Sequence, residues 1–366
     1  MMILLLTALA YAGTLTQIAD LDVQRENPLA GVIAQRMSDG RVYAVGAKAP
    51  VVGSFAGIFD PVTEQWSTAT DPPFNPHQIF RVQNDNVFLY SGNPGNAAYY
   101  HWPTDTYTAL SAPPDDRLGA LITSTPGHEK IFIVGGQDLL GITSNKAYIY
   151  DTATDTWSTT VMPRAVQQGT VTSVHHPSDP DRWGVVVIGG LEDYGPGITY
   201  HDVTMFFDSA VGSWAAQPAA VWEGYDQAAM RWHKSSFKVF VSGGKYGPTG
   251  LGADTYTYDP WTDTWVFQGN MNIARAKHSM VKMGPGNSDI LVAGGVYDPN
   301  NWTLETPTLE RFNVITKWGL EADTLAEPAY ELVMFYLPDY PNKVWMGGGD
   351  GFGVASRLDF YRWTKF

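Results

Sequence analysis

Residues 130–157, KIFIVGGQDLLGITSNKAYIYDTATDTW, set the pattern for the whole chain. A β-branched and aromatic run ends in Gly135-Gly136, and a variable loop follows. A second run, Ala147 to Tyr150, closes on Asp151, with Thr154 three residues on and Trp157 six on. This reads as a strand, a loop, a strand and a tight turn into a fourth segment. The same order returns as Gly189-Gly190 with Phe206-Phe207-Asp208 and Trp214, and as Gly243-Gly244 with Tyr256, Tyr258-Asp259 and Trp265. It returns again as Gly294-Gly295 with Phe312-Asn313 and Trp318, and as Gly347-Gly348 with Phe360-Tyr361.

Self-similarity at a period near 50 residues marks a propeller in which each unit is one four-stranded blade. Upstream, Gly92 with Tyr100 and Tyr107, and Gly46 with Phe59-Asp60 and Trp66, complete the series with a single glycine each. The count is seven. The pattern resembles the kelch repeat, and the resemblance covers nearly the whole chain. It implies an all-β fold, a seven-bladed kelch-type β-propeller of four-stranded antiparallel blades, each running from the central axis outward.

Blade one is expected to use Gly31–Met37, Arg41–Val45, Ser54–Phe59 and Gln65–Ser67, and blade two to begin at Gln78. Blade seven, after Glu331–Leu337, Lys343–Met346 and Arg357–Arg362, runs out of chain before a fourth strand. Residues 13–23, GTLTQIADLDV, alternate like a strand and supply it, so that an N-terminal strand completes the last blade and leaves no unpaired edge at the seam. Ahead of them, residues 1–12 hold an apolar run with small residues at Ala8, Ala10 and Ala12, which reads as a signal peptide cut after Ala12, or after Ala10. No Lys or Arg precedes Arg25, and the competing reading is a buried first strand. The apolar run is too short to span a bilayer. The expected organisation is a signal peptide at 1–12 and a single kelch domain at 13–366, placing the protein outside the cell, or in the periplasm of a bacterium.

Of the 366 residues, 44% are hydrophobic, 13% aromatic and only 16% charged, which suits strands buried between neighbouring blades. The net charge of −14 sets the average field against nucleic acid and anionic membranes. Zero cysteines exclude a disulfide framework, thiol catalysis and Cys-ligated zinc. One sequon, Asn301-Trp302-Thr303, offers a glycosylation site in a loop.

The repeat residues have framework roles. The double glycines end a strand where the backbone takes positive φ or approaches a neighbour closely. Asp151, Asp208 and Asp259, with Asp60 and Asn313, cap the turn to the outer strand. The Tyr and Trp side chains fill the space between blades. Specificity is then left to the loops. By resemblance, the connections between blades and those joining second and third strands surround one mouth of the central channel. Candidate ligand-binding residues there are His77, Arg117, Arg164, Gln168, Tyr225, Arg275, His278, Tyr330 and Glu331. Arg117, Arg164 and Arg275 stand at the entrance of an innermost strand in three blades and are expected to converge on one axis. In such positions family members bind acidic peptides, and guanidinium groups grip carboxylates. The competing reading pairs each Arg with a backbone carbonyl or a neighbouring carboxylate.

Catalytic signatures are absent: no G-x-S-x-G, no H-E-x-x-H, no phosphate-binding glycine loop. The copper radical oxidases that share the kelch fold need a Tyr–Cys crosslink, which this chain cannot make. No cofactor or metal site is expected. The expected role is a secreted, stand-alone, non-catalytic module binding another extracellular protein or a glycan, either alone or as one component of an extracellular assembly. The alternative is a sugar mutarotase of the sialic-acid type, since such enzymes are secreted kelch propellers of similar size. Arg275, His278 and Glu331 would then hold a carboxylate and move a proton.

Overall fold

Alternation along each repeat dictates four antiparallel strands, of which the innermost is mostly half-buried, the second is the most buried and the outermost is the most exposed. In blade three the second strand, Lys130–Val134, is buried at four of its five positions, whereas the outermost, Thr156–Val161, is half-exposed or exposed throughout. The computed structural model describes residues 13–18, 33–47, 54–92, 95–193, 197–217, 224–226, 228–231, 237–247, 250–283, 289–298, 304–325, 328–329, 332–347 and 360–365. Residues 1–12, Asn301, Tyr330 and Glu331 lie outside them, so the signal peptide, the sequon and two candidate site residues are not placed.

Seven four-stranded antiparallel sheets form the ring. Their innermost strands are Ile33–Arg36, Gln78–Arg81, Leu121–Ser124, Thr170–His175, Ala228–Arg231, Ser279–Met283 and Val333–Tyr336. Each lies beside the next, and the last lies beside the first, which closes the propeller. At the seam, Gly13–Ile18 pairs antiparallel with Phe360–Lys365, Gly13 opposite Lys365 and Ile18 opposite Phe360. The N-terminal strand is therefore the outer strand of blade seven, as the alternation in GTLTQI indicates. One boundary shifts: the third strand of blade seven is Phe360–Lys365 rather than Arg357–Arg362. In register, Tyr150 faces Ile131 while Trp363 faces Val344, so the counterpart of Tyr150 is Trp363, not Tyr361. Thr364 then stands where Asp151 stands in blade three. No turn leads from this strand to the outer one, which arrives from the other end of the chain. The cap that Asp60, Asp151, Asp208, Asp259 and Asn313 supply in other blades has nothing to hold here.

A single packing rule runs around the ring. The second-strand residue just after the one paired with the Tyr150 equivalent of its own blade meets the Tyr150 equivalent of the following blade. The pairs are Tyr43–Tyr100 with ring centroids 4.3 Å apart, Phe88–Tyr150 at 5.2 Å, Phe132–Phe207 at 5.1 Å, Phe240–Phe312 at 5.1 Å and Phe59–Trp345 at 6.1 Å. Val186 with Tyr258 and Leu291 with Trp363 complete the set. Aromatic residues at these places bury large areas at low entropy cost, which is why the repeat keeps them.

Backbone contacts join the blades at the loop face. The Gly136 amide donates to the carbonyl of Val166 at 2.9 Å, and the Gly244 amide to that of Arg275 at 2.9 Å. A Cβ on Gly135 would stand 2.0 Å from Val166 O, and one on Gly243 would stand 2.4 Å from Arg275 O, with φ of 66° and 56° at the two glycines. Both physical reasons for a glycine hold at once. The turn caps behave as the sequence indicates: Asp151 Oδ1 accepts from Ala153 N at 3.0 Å, Asp60 Oδ1 from Val62 N at 2.8 Å and Asn313 Oδ1 from Ile315 N at 2.8 Å. The last residue of the same turn clasps the preceding blade. Asp155 accepts from Ser111 N at 3.0 Å and Tyr150 Oη at 3.0 Å, and Asp105 accepts from Thr70 N at 2.9 Å and Tyr100 Oη at 2.8 Å. Both aspartates sit at φ 52°, in the left-handed region. At the seam, Glu64 takes this place and accepts instead from Lys343 Nζ at 3.3 Å and from Arg362.

Candidate functional site

The site is built from the connections that the sequence leaves free to vary. Leu118, Gln167 and Ala276 each bridge to the residue following a glycine pair, Gln137, Leu191 and Val296 respectively. That register makes Arg117, Val166 and Arg275 equivalent, and it puts Arg164 two positions earlier. The three arginines expected to converge on the axis therefore hold two different places. At the head of the innermost strands stand instead Gly119, Gln168, Asp226 and Lys277, all with positive φ of 62°, 53°, 53° and 53°. Asp226 N donates to Gln168 O at 2.9 Å and Lys277 N to Asp226 O at 3.1 Å, so backbone bonds run from blade to blade here. The described side chains at these heads are mixed in charge rather than cationic.

Arg275 is sealed. Its guanidinium donates to Gly294 O at 2.7 Å, Thr308 Oγ1 at 2.8 Å and Glu310 Oε1 at 2.6 Å, with Arg275 and Glu310 both fully buried. Glu310 also accepts from the amides of Asn272 at 2.6 Å and Ile273 at 3.1 Å, so the pair welds the incoming loop to blade six. His278 is buried beside it and shares a 2.8 Å hydrogen bond with Ser242 Oγ. Burial first, and then the Arg275 charge, push the His278 imidazole down to about 3, which keeps it neutral at physiological pH. His77 accepts the Gly92 amide at 3.1 Å, and burial lowers its pKa as well. These three candidates hold loops in place. Tyr225 pairs through its backbone with Lys245, and Gln168 is exposed.

Arg117 and Arg164, by contrast, share a cavity of about 550 Å³ between blades three and four. Lys146, Asp138, Thr143 and Glu192 also line it. Arg117 is buried, donates to Asp115 Oδ2 at 2.7 Å and lies over the Tyr148 ring at 5.9 Å. Its Nε, though buried, has no hydrogen-bond partner among the described residues. Lys146 Nζ stands 3.7 Å from the same Asp115 oxygen. Arg164 is exposed and makes no ion pair among the described residues. On the far wall Glu192 and His201, both buried, approach to 3.3 Å. Thr143 ties the walls together, accepting from Gln167 Nε2 at 3.1 Å and Asp193 N at 2.9 Å. An anion entering here meets the Arg164 guanidinium, unpaired among the described residues, and a second whose charge is only partly answered. The sequence points to Arg117 and Arg164 but not to Lys146, Asp138, Thr143 or Glu192. For Lys146, Asp138 and Thr143 the signal is the length and polarity of the loop within the 130–157 stretch, whereas Glu192 comes from the loop of the following blade.

The family model described as the Kelch motif matches residues 122–160, the span that carries the repeat most clearly. No curated protein matches the sequence. Among solved structures 852 chains match, so the architecture does not choose among functions. One is a fungal alcohol oxidase of the AA5 family in complex with copper, at 16% identity and a TM-score of 0.73, the match spanning 97% of this chain and 76% of that one. Another is YjhT, at 15% identity and a TM-score of 0.55, spanning 76% of this chain and 91% of that one. Likeness at these identities is likeness of fold. The chain is a seven-bladed β-propeller that carries a Kelch motif at residues 122–160. Among the described residues no three histidine or carboxylate side chains gather to hold a metal ion, and the chain has no cysteine.

Proposed function

We propose that this propeller is a secreted binding module that captures an anionic group of another extracellular protein or a glycan in the cavity between blades three and four. The observation that carries the reading is the meeting of Arg117 and Arg164 in one open cavity, the first held by Asp115 and the second unpaired among the described residues. A guanidinium fixed by its own carboxylate, beside one free to close on a ligand, is a preorganised carboxylate receptor. The test is affinity capture from the native extracellular fraction with the purified chain and its Arg164→Glu variant. The variant keeps its stability, because the side chain is exposed, and loses the partner. A partner held equally by both refutes the cavity as the binding site.

A second reading is favoured by Glu192, which lines the same cavity with His201 buried behind it. A carboxylate-bearing sugar held by Arg164 would then face a proton-transfer pair, as a mutarotase of the sialic-acid type requires. The residues first considered for that role are less suited, since Arg275 and His278 are sealed in the blade. Exchange of sugar anomers followed by NMR, accelerated by the protein and not by its Glu192→Gln variant, decides for this reading. An unchanged exchange rate removes it.

A further inference from the structure

The loop joining the second and third strands of blade three ends in an aliphatic tip. Leu139 is 63% and Leu140 85% exposed, and Ile142 and Leu118 beside them are exposed as well. The tip is not slack. Asp138 Oδ1 accepts from the amides of Leu140 and Ile142, 2.9 Å each, while Asp138 N donates to Ile142 O at 3.0 Å. Leu118 is fixed by backbone bonds of 2.9 Å and 2.8 Å with Gln137 at the foot of the loop. The turn therefore closes on Asp138 and needs no apolar residue at 139 or 140. A rigid aliphatic surface held in water is unfavourable unless something covers it. Asp138 and Ile142 also line the cationic cavity, so the two features form one continuous surface.

We propose that the tip and the cavity are two halves of one site, and that the occupant is the C-terminus of a polypeptide ending in an aliphatic residue. This rests on the cavity being the binding site. The terminal carboxylate pairs with Arg164, and the last side chain packs on Leu140 and Ile142. Three observations select this occupant. Arg117 and Lys146 share the Asp115 carboxylate, which leaves Arg164 as the lining cation with no ion pair among the described residues and the one placed to close on a terminal carboxylate. Asp138 and Glu192 on the walls would repel a run of acidic residues. None of the described lining residues is aromatic, which removes the usual platform for a sugar face.

The experiment uses a peptide library randomised over its last residues, displayed with free C-termini on beads, and a matching library with amidated ends. The labelled chain enriches peptides ending in leucine, isoleucine or valine from the free-acid library only. Both Leu140→Ser and Arg164→Gln cut the affinity of an enriched peptide by about tenfold, the loss expected for one contact of this kind. Both residues are exposed, so both variants fold. Equal binding to acid and amide, no preference at the last residue, or no enrichment overturns the inference. A native partner lost with Arg164→Glu but unaffected by Leu140→Ser leaves the cavity reading standing and defeats this one alone.

Discussion

Arg117 and Arg275 stand at the same register in two blades, each one residue before a bridge to the loop of its own blade. One is satisfied on every side by Gly294, Thr308 and Glu310, out of reach of solvent. The other has a single carboxylate partner, itself 36% exposed, and opens on a cavity. The repeat fixes where the backbone of such a residue goes, through the carbonyl that meets the preceding glycine pair. It does not fix what the side chain meets, because that depends on a loop of different length in each blade. An identical residue at an identical place is framework in blade six and part of a candidate receptor in blade three.

The sharpest test of that contrast is a pair of substitutions. Arg275→Met strands the buried Glu310 and is expected to cost about 3–5 kcal/mol in denaturant unfolding. Arg117→Met leaves Asp115 able to hydrate and is expected to cost about 1 kcal/mol. Adding Glu310→Met to Arg275→Met recovers much of the loss, since a buried pair replaced whole by apolar groups is tolerated far better than one half removed. Equal costs for the two single variants would abolish the distinction between sealed and open.

Glycines in blade three give the next contrast. Gly135 faces Val166 O with no room for a Cβ, while Gly141, at φ 80°, has nothing near its missing side chain. Gly135→Ala therefore costs backbone strain plus a collision, about 3 kcal/mol or more, and Gly141→Ala only the strain, about 1 kcal/mol. Melting temperatures of the two variants check it.

The smallest expected effect lies at the seam. Burial pushes the Glu64 carboxyl up, but the bonds from Arg362 and Lys343 outweigh it and hold the group below its ordinary value of 4.5. A depressed folded-state pKa contributes stability above the unfolded value and loses it as pH falls through the folded one. Glu64→Gln is thus expected to lower stability by about 1 kcal/mol near neutrality. The gap from the parent chain should close as pH falls below 4.5. A gap that persists at acid pH would show that shape, not charge, closes the ring.

Much of the fold was legible because each blade repeats one local code. Glycine pairs, capping aspartates and aromatic residues recur at a fixed spacing, and each answers a demand of backbone geometry or packing that is the same in every blade. The N-terminal strand was legible for a related reason, since a ring with one blade short of a strand leaves an edge that must be paired. Where the code lapsed, reading by residue type failed. Tyr361 looks like Tyr150, yet pairing gives that place to Trp363, because a strand without a following turn carries no aspartate to fix its phase.

The site divided along the same line. Sequence alone determined that function must sit on loops rather than in the glycine and aromatic framework, and it placed arginines near the heads of three innermost strands. Only the tertiary structure decided that Arg275 is spent on Glu310, and that Arg117 and Arg164 meet Lys146, Asp138 and Glu192 around one cavity. The reason is physical: local spacing governs the strands and turns, whereas what a side chain meets across a blade boundary depends on loops far apart in the chain. Those loops are brought together only when the ring closes.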